Sequence, residues 1–239
     1  MRRVLVTGGG TGIGRAIAHA FAEEGDIVTI CGRRISPLED SARGREIEIR
    51  QADITREADV ASLFDSPYQV VVANAGFGKA SKLAETSLAD WTATVETSLT
   101  GTFLTFREAL RGMGPGGRLI AIASTAALQG GANIAAYAAA KHGVLGLVRS
   151  LAHEVAKRDI TCNAVCPGFV DTPMADAAVE SLMARLDIDR GDAVAKIVAG
   201  NPVGRMITPR EVAKAVHYLA GAEAAMVNGH ALSLSGGEI

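Results

Sequence analysis

Short runs of β-branched and aliphatic residues recur along this chain, separated by longer segments whose apolar residues fall at helical spacing. The runs are Val4 to Thr7, Ile27 to Cys31, Glu46 to Arg50, Val70 to Asn74, Arg118 to Ala123, Ile160 to Val165 and Ala231 to Ser235. The helical segments are Ile13 to Glu24, Glu57 to Phe64, Leu88 to Arg111, Ala135 to Lys157 and Pro209 to Ala220. A strand followed by a helix and then another strand closes on itself as a right-handed crossover with parallel strands. The pattern therefore predicts an α/β fold: one Rossmann-like, doubly wound domain with a seven-stranded parallel sheet and helices on both faces. Hydrophobic residues make up 48% of the 239 positions but aromatic ones only 4%. The expected core is aliphatic, as suits strands covered on both sides. A chain of this length buries about three quarters of the surface it exposes when unfolded. The segment 173–209 is the least regular stretch and reads as a flap inserted into the domain 1–239, with helical pieces of its own.

Charge and composition exclude several classes. The net charge of -2 is mixed along the chain, and no basic patch interleaved with aromatics suggests a nucleic-acid partner. Apolar stretches stop well short of a membrane span. Arg2 and Arg3 are followed by only three apolar residues before the glycines, so no signal-peptide core is seen and a cytoplasmic protein is expected. The three cysteines, Cys31, Cys162 and Cys166, have no CxxC spacing. On one strand, Cys162 and Cys166 would stand about 13 Å apart, too far for a disulfide. The five histidines are dispersed, and no metal site is expected.

The first strand runs directly into Thr7-Gly8-Gly9-Gly10-Thr11-Gly12-Ile13-Gly14 and then a helix. A glycine turn between strand and helix suits a dinucleotide pyrophosphate. Backbone without Cβ can approach closely, and the helix N-terminus offers free N–H groups at the positive end of its dipole. The spacing is neither GxGxxG nor a P-loop, since Ile13 stands at the third glycine's place and no Gly-Lys-Ser/Thr follows. At the end of the second strand an acid would bind the ribose 2′-hydroxyl of NAD. Here the residues are Cys31-Gly32-Arg33-Arg34. An arginine fork fits a 2′-phosphate, which favours NADP(H) over NAD(H); the bland alternative is a pair of solvated surface arginines.

Tyr137 and Lys141 lie four apart at the start of an Ala-rich helix, so both leave from one face. A nearby ammonium favours the phenolate and would lower the tyrosine pKa, allowing proton exchange with an alcohol or carbonyl oxygen. Ser124 ends the fifth strand, Asn74-Ala75-Gly76 the fourth, and Pro167-Gly168 with Val170 and Thr172 follows the sixth. All fall at the carboxyl edge, where doubly wound sheets bind ligands.

In order and spacing these motifs resemble the single-domain short-chain dehydrogenase/reductase family over essentially the whole chain. The resemblance implies that Tyr137 is the general acid in reduction and the base in oxidation. Lys141 would hold the nicotinamide ribose, and Ser124 the substrate oxygen. It implies a cofactor loop at Gly8, Gly12, Ile13 and Gly14, an adenine contact from Asp53, and an adenosine-side lining from Asn74, Ala75 and Gly76. Pro167 and Gly168, with Val170 and Thr172, would border the carboxamide. One departure stands out: in Trp91-x6-Ser98-Leu99-Thr100-Gly101, Ser98 occupies the place of the family's usual asparagine, which serves a proton relay to the lysine.

Within the family, Thr94 to Gly101, Ile122 to Thr125, Lys141 to Gly146 and Asn163 to Met174 are most similar to β-ketoacyl thioester reductases, 3-hydroxyacyl-CoA dehydrogenases and polyketide ketoreductases. In the flap, Met174, Leu182, Met183, Leu186, Ile188 and Met206 could wall an apolar substrate. Arg185, Arg190, Lys196, Arg205 and Arg210 could meet carrier phosphates. The expected partner is a small ketone or alcohol. The small residues of Ala135 to Lys157 and the family habit point to a homo-oligomer, a tetramer or dimer. The rivals are a dehydrogenase of a small secondary or cyclic alcohol, and a non-catalytic dinucleotide-binding sensor or scaffold.

Overall fold

The computed structural model describes residues 1–239 throughout. Seven strands form one sheet in the order β3-β2-β1-β4-β5-β6-β7, and every neighbouring pair is parallel. The strands are β1 (Arg3–Thr7), β2 (Ile27–Gly32), β3 (Ile47–Gln51), β4 (Val70–Ala73), β5 (Arg118–Ile122), β6 (Thr161–Pro167) and β7 (Ala231–Leu234). The helices are α1 (Gly12–Glu23), α2 (Ile35–Ala42), α3 (Glu57–Ala61), α4 (Leu88–Val95), α5 (Gly101–Gly112), α6 (Ala135–Val155), α7 (Pro173–Leu186), α8 (Arg190–Ile197) and α9 (Pro209–Ala220). The doubly wound α/β fold read from the sequence is the observed one. The strand order reverses between β1 and β4, which opens the ligand crevice expected at such a switch point.

Burial on both sheet faces explains the apolar strands. In β1, Val4 and Val6 face one cluster with Ile17, Phe21, Val212, Val216 and Leu219 from α1 and α9. Leu5 faces the other, with Phe106, Val144 and Val148 from α5 and α6. All three are fully buried. Each such side chain contributes roughly 1.5–3 kcal/mol relative to exposure. β7, an edge strand, is only half-buried along its length.

Two local features differ from the sequence reading. The short helix α2 is absent from it; Pro37 sits in its first turn, where a missing N–H costs nothing. The predicted helix Leu88 to Arg111 is a single rod interrupted by a π turn at Glu96–Thr100. Such an insertion leaves one turn's backbone differently bonded and is frequent at functional sites. Ser98 stands in that turn, buried.

Candidate active site

The glycine turn is built by contacts that only glycine allows. Gly8 and Gly12 take φ of 67° and 52°, in the left-handed region where a side chain is strained. A Cβ at Gly14 would lie 2.3 Å from the Gly8 carbonyl oxygen and 2.5 Å from Asn74 Nδ2. The turn is tied to the end of β4 by reciprocal bonds. Asn74 Nδ2 donates to the carbonyls of Thr7 (2.9 Å) and Gly8 (3.3 Å). The N–H groups of Asn74 and Ala75 both donate to Thr7 Oγ1 at 3.0 Å. Thr7 was not singled out from the sequence as a site residue; its hydroxyl nevertheless sets the loop against Asn74-Ala75-Gly76.

Beyond the turn, α1 starts without a side-chain cap and without an acid in its first turn. The first N–H bonded back toward the loop is that of Arg15, to Thr11 O at 3.1 Å, so those of Gly12, Ile13 and Gly14 remain free. Thr172 packs on the loop: a Cβ at Gly12 would sit 3.2 Å from its Cγ2. A cradle of free N–H groups at a helix N-terminus, with glycine where a Cβ would intrude, fits a dinucleotide pyrophosphate.

The adenosine side matches in part. Arg33 and Arg34 follow β2, are exposed, and neither is in an ion pair. Asp53 accepts from Thr55 N–H and Oγ1 at 3.0 and 2.8 Å. Desolvation pushes its pKa up, but the Thr55 bonds and the Arg33 charge outweigh that and hold the carboxyl below its ordinary range. Val170 has its side chain buried in the core, so its backbone is what it offers a ligand; its carbonyl accepts from Thr172 Oγ1 at 3.1 Å.

The structure brings the three reactive side chains together. Ser124 leaves β5 in extended backbone and caps a short 3₁₀ turn, its Oγ accepting from Ala126 N–H. Its hydroxyl also acts on the Tyr137 phenol, drawing the phenol's pKa down. Lys141 is buried, and its Nζ donates to Ile122 O at 2.7 Å. That Nζ stands 5.6 Å from the Tyr137 ring centroid. Gly76 is flanked by Lys141 Nζ and Ser98 Oγ, each 3.4 Å from where its Cβ would be. Ser98 Oγ donates to Phe77 O at 3.3 Å, and its carbonyl accepts from Thr102 Oγ1 at 2.9 Å. Gly78 went unremarked in the sequence. It seats the tyrosine, since a Cβ there would be 2.6 Å from Tyr137 Cδ2.

The electrostatics correct one expectation. Lys141 was expected to depress the tyrosine pKa, yet burial pushes the Tyr137 phenol above its ordinary value, and the Ser124 hydroxyl only partly offsets this. The same burial pulls Lys141 down to about 8. The ammonium lies over the ring and donates to a carbonyl, so it offers a developing phenolate little in the chain alone. A phenol kept protonated beside a serine hydroxyl can donate a proton to a single oxygen, and a buried ammonium with two N–H groups left over can hold vicinal hydroxyls.

A parallel switch-point sheet with this cradle and phenol–lysine–serine group defines a dinucleotide-dependent oxidoreductase architecture, and the comparisons agree. A family model described as enoyl-(acyl carrier protein) reductase matches residues 8–238. A Streptomyces coelicolor protein carrying the name ketoacyl reductase is 39% identical, the alignment covering 98% of this chain and 95% of that protein. Cis-4-hydroxycyclohexanecarboxylate dehydrogenase of Sinomonas cyclohexanicum is 37% identical over 99% of this chain and 96% of its own. The crystal structure of an actinorhodin polyketide ketoreductase variant with NADPH superposes with a TM-score of 0.92 at 38% identity, covering 99% and 97% of the two chains. The chain belongs to the short-chain dehydrogenase/reductase family.

Proposed function

We propose that this protein is an NADP(H)-dependent ketoreductase that interconverts a ketone and a secondary alcohol, with β-ketoacyl thioesters or polyketide-like ketones as its substrates. The convergence of Ser124, Tyr137 and Lys141 at the carboxyl edge, beside the glycine cradle, carries the reading. Gly8, Gly12, Ile13, Gly14, Asn74, Ala75, Gly76 and Asp53 would hold the adenosine and pyrophosphate, and Arg33 with Arg34 the 2′-phosphate. Lys141 would hold the nicotinamide ribose, and Pro167, Gly168, Val170 and Thr172 its carboxamide. The cofactor supplies the hydride.

The chain supplies everything else. Ser124 Oγ and the Tyr137 phenol hydrogen-bond one carbonyl oxygen, which orients the ketone. As that oxygen gains charge, Tyr137 hands it the phenolic proton, and the raised pKa of the free chain keeps that proton available at neutral pH. The two donors placed on a single oxygen suit reduction of a carbonyl. Lys141 then faces the phenolate across the ring, and the proton would be replaced from water held beside the ammonium near Ser98, whose Oγ borders the same Gly76 position.

The names of the similar ketoacyl and polyketide reductases support the acyl substrate. Flap cations support it less: Arg190 is paired with Asp176 and Arg205 with Glu211, leaving Arg185, Lys196 and Arg210. The likeness to a cyclohexane alcohol dehydrogenase favours a second reading, a small cyclic alcohol or ketone. A homo-oligomeric, cytoplasmic enzyme of one domain, with 173–209 as its substrate flap, completes the proposal. No helix is long and apolar enough to cross a membrane.

The test is NADPH and NADH oxidation against acetoacetyl-CoA, polyketide-like ketones and cyclic ketones, with Tyr137→Phe as the blank. Turnover of the acyl substrates with NADPH supports the reading. Turnover of cyclic ketones alone moves it to the second, and tight cofactor binding without any turnover would make the protein a sensor.

A further inference from the structure

After β7 the chain turns back over the carboxyl edge of the sheet. Gly236 and Gly237 take φ of 63° and 93°. A Cβ at Gly236 would stand 2.0 Å from Asn201 Oδ1, so this turn lies directly on the end of the flap. The turn delivers Glu238, half-buried, between three elements of the cleft wall. Gln129 Nε2, on the loop that leaves Ser124, donates to Glu238 Oε1 at 3.3 Å. Oε2 lies 3.3 Å from where a Gly168 Cβ would be, a point also within 3.8 Å of Thr125 Cγ2 and 3.7 Å of Ile207 Cδ1. Thr125 directly follows Ser124, and Gly168 directly follows β6. The carboxylate thus stands at the carboxyl edge of the sheet, against the segments that leave β5 and β6 and carry Ser124 and Gly168.

Glu238 has no ion pair, and its Oε2 accepts no hydrogen bond within the chain. The flap's Arg205 is held in a forked pair by Glu211, at 2.9 and 2.6 Å. Lys141 is turned to Ile122 O. A substrate anion passing this edge would meet a like charge that no ion pair neutralises. Such an arrangement discriminates by repulsion rather than by better contacts.

We propose that Glu238 determines specificity by selecting neutral ketones, so that an oxo acid is accepted only when its carboxyl is masked as an ester or thioester. This rests on the ketoreductase reading with a neutral natural ketone, such as the acyl thioester of the first reading. The test uses two matched pairs with NADPH: ethyl acetoacetate against acetoacetate, and methyl 4-oxocyclohexanecarboxylate against the free acid. The measured quantity is the acid-to-ester ratio of kcat/KM for wild type, Glu238→Gln and Glu238→Lys. It is expected to rise at least tenfold in Glu238→Gln and further in Glu238→Lys, for both pairs. A general loss of activity or stability lowers both members of a pair and leaves the ratio unmoved.

Binding is read separately in the Tyr137→Phe background, by titrating each acid and ester against the fluorescence of bound NADPH. Turnover with a ratio indifferent to residue 238 overturns the role of Glu238 alone. The expected order in binding without turnover by any form overturns the ketoreductase reading and leaves the charge selection standing. Failure to bind NADPH at all overturns both.

Discussion

Replacing Lys141 by methionine should separate stability from function in a pH-dependent way. The ammonium is buried, and desolvation brings its pKa from 10.5 to about 8. At 1.36 kcal/mol per unit, carrying the charge into the fold costs about 3 kcal/mol at pH 7. Below pH 8 both folded and unfolded chains are protonated and the cost is complete. Between about pH 8 and 10.5 the folded state has released the proton while the unfolded state keeps it. Stability therefore rises with pH across that window. From pH 7 to 9.5 the wild type should recover about 2 kcal/mol from this group, and Lys141→Met should lack that gain. Methionine fills similar space but strands the Ile122 carbonyl, now bonded at 2.7 Å, at a cost of about 1–3 kcal/mol. The two effects nearly offset at pH 7, so the variant should fold about as stably as wild type there and fall behind at pH 9.5. Urea unfolding at both pH values, followed by far-UV circular dichroism, measures this. Parallel pH dependences of the two proteins would refute the buried, depressed lysine. At neutral pH the variant should also lose NADPH-dependent turnover by at least 100-fold, through the lost ribose contact and proton relay.

Other substitutions address separate parts of the site. Tyr137→Phe should lower kcat by roughly 10²–10⁴ with NADPH affinity within threefold, as removal of a general acid alone requires; equilibrium binding and steady-state kinetics read the two. Gly14→Ala pushes a methyl against the Gly8 carbonyl and should cost about 1–3 kcal/mol of stability as well as weaken NADPH at least tenfold. Arg33→Asp should reduce the NADPH-to-NADH preference at least tenfold, as loss of a charge-assisted bond of about 1.5–3 kcal/mol implies; an unchanged preference rejects the arginine assignment. Ser98→Asn should shift the pH–rate profile if the buried relay position limits proton return, and an identical profile would remove Ser98 from the mechanism.

Much of this architecture was legible before any coordinates. Strand ends read from β-branched runs agree to within two residues, because apolar strands covered on both faces interrupt helical periodicity sharply. The glycine turn was legible from its place between strand and helix, and Ser124, Tyr137 and Lys141 from their positions taken together with the family resemblance, since spacing alone would leave a tyrosine–lysine pair on a solvated surface. Less visible were α2, whose eight residues include a proline, and the π turn at Glu96–Thr100. A π insertion leaves no periodic mark when apolar residues continue on either side of it.

What the amino-acid order settled by itself is therefore the set of local choices: where backbone must be glycine, where helices begin, and which side chains share a face. Folding decided the rest by bringing distant segments together. It put Ser98 beside Lys141, 43 positions apart. It locked Thr7 to Asn74 and folded Glu238 over the cleft toward Gly168. It also set the sign of the Tyr137 shift. Spacing promises an ammonium near a phenol, but whether attraction or desolvation wins depends on how much water the whole fold excludes.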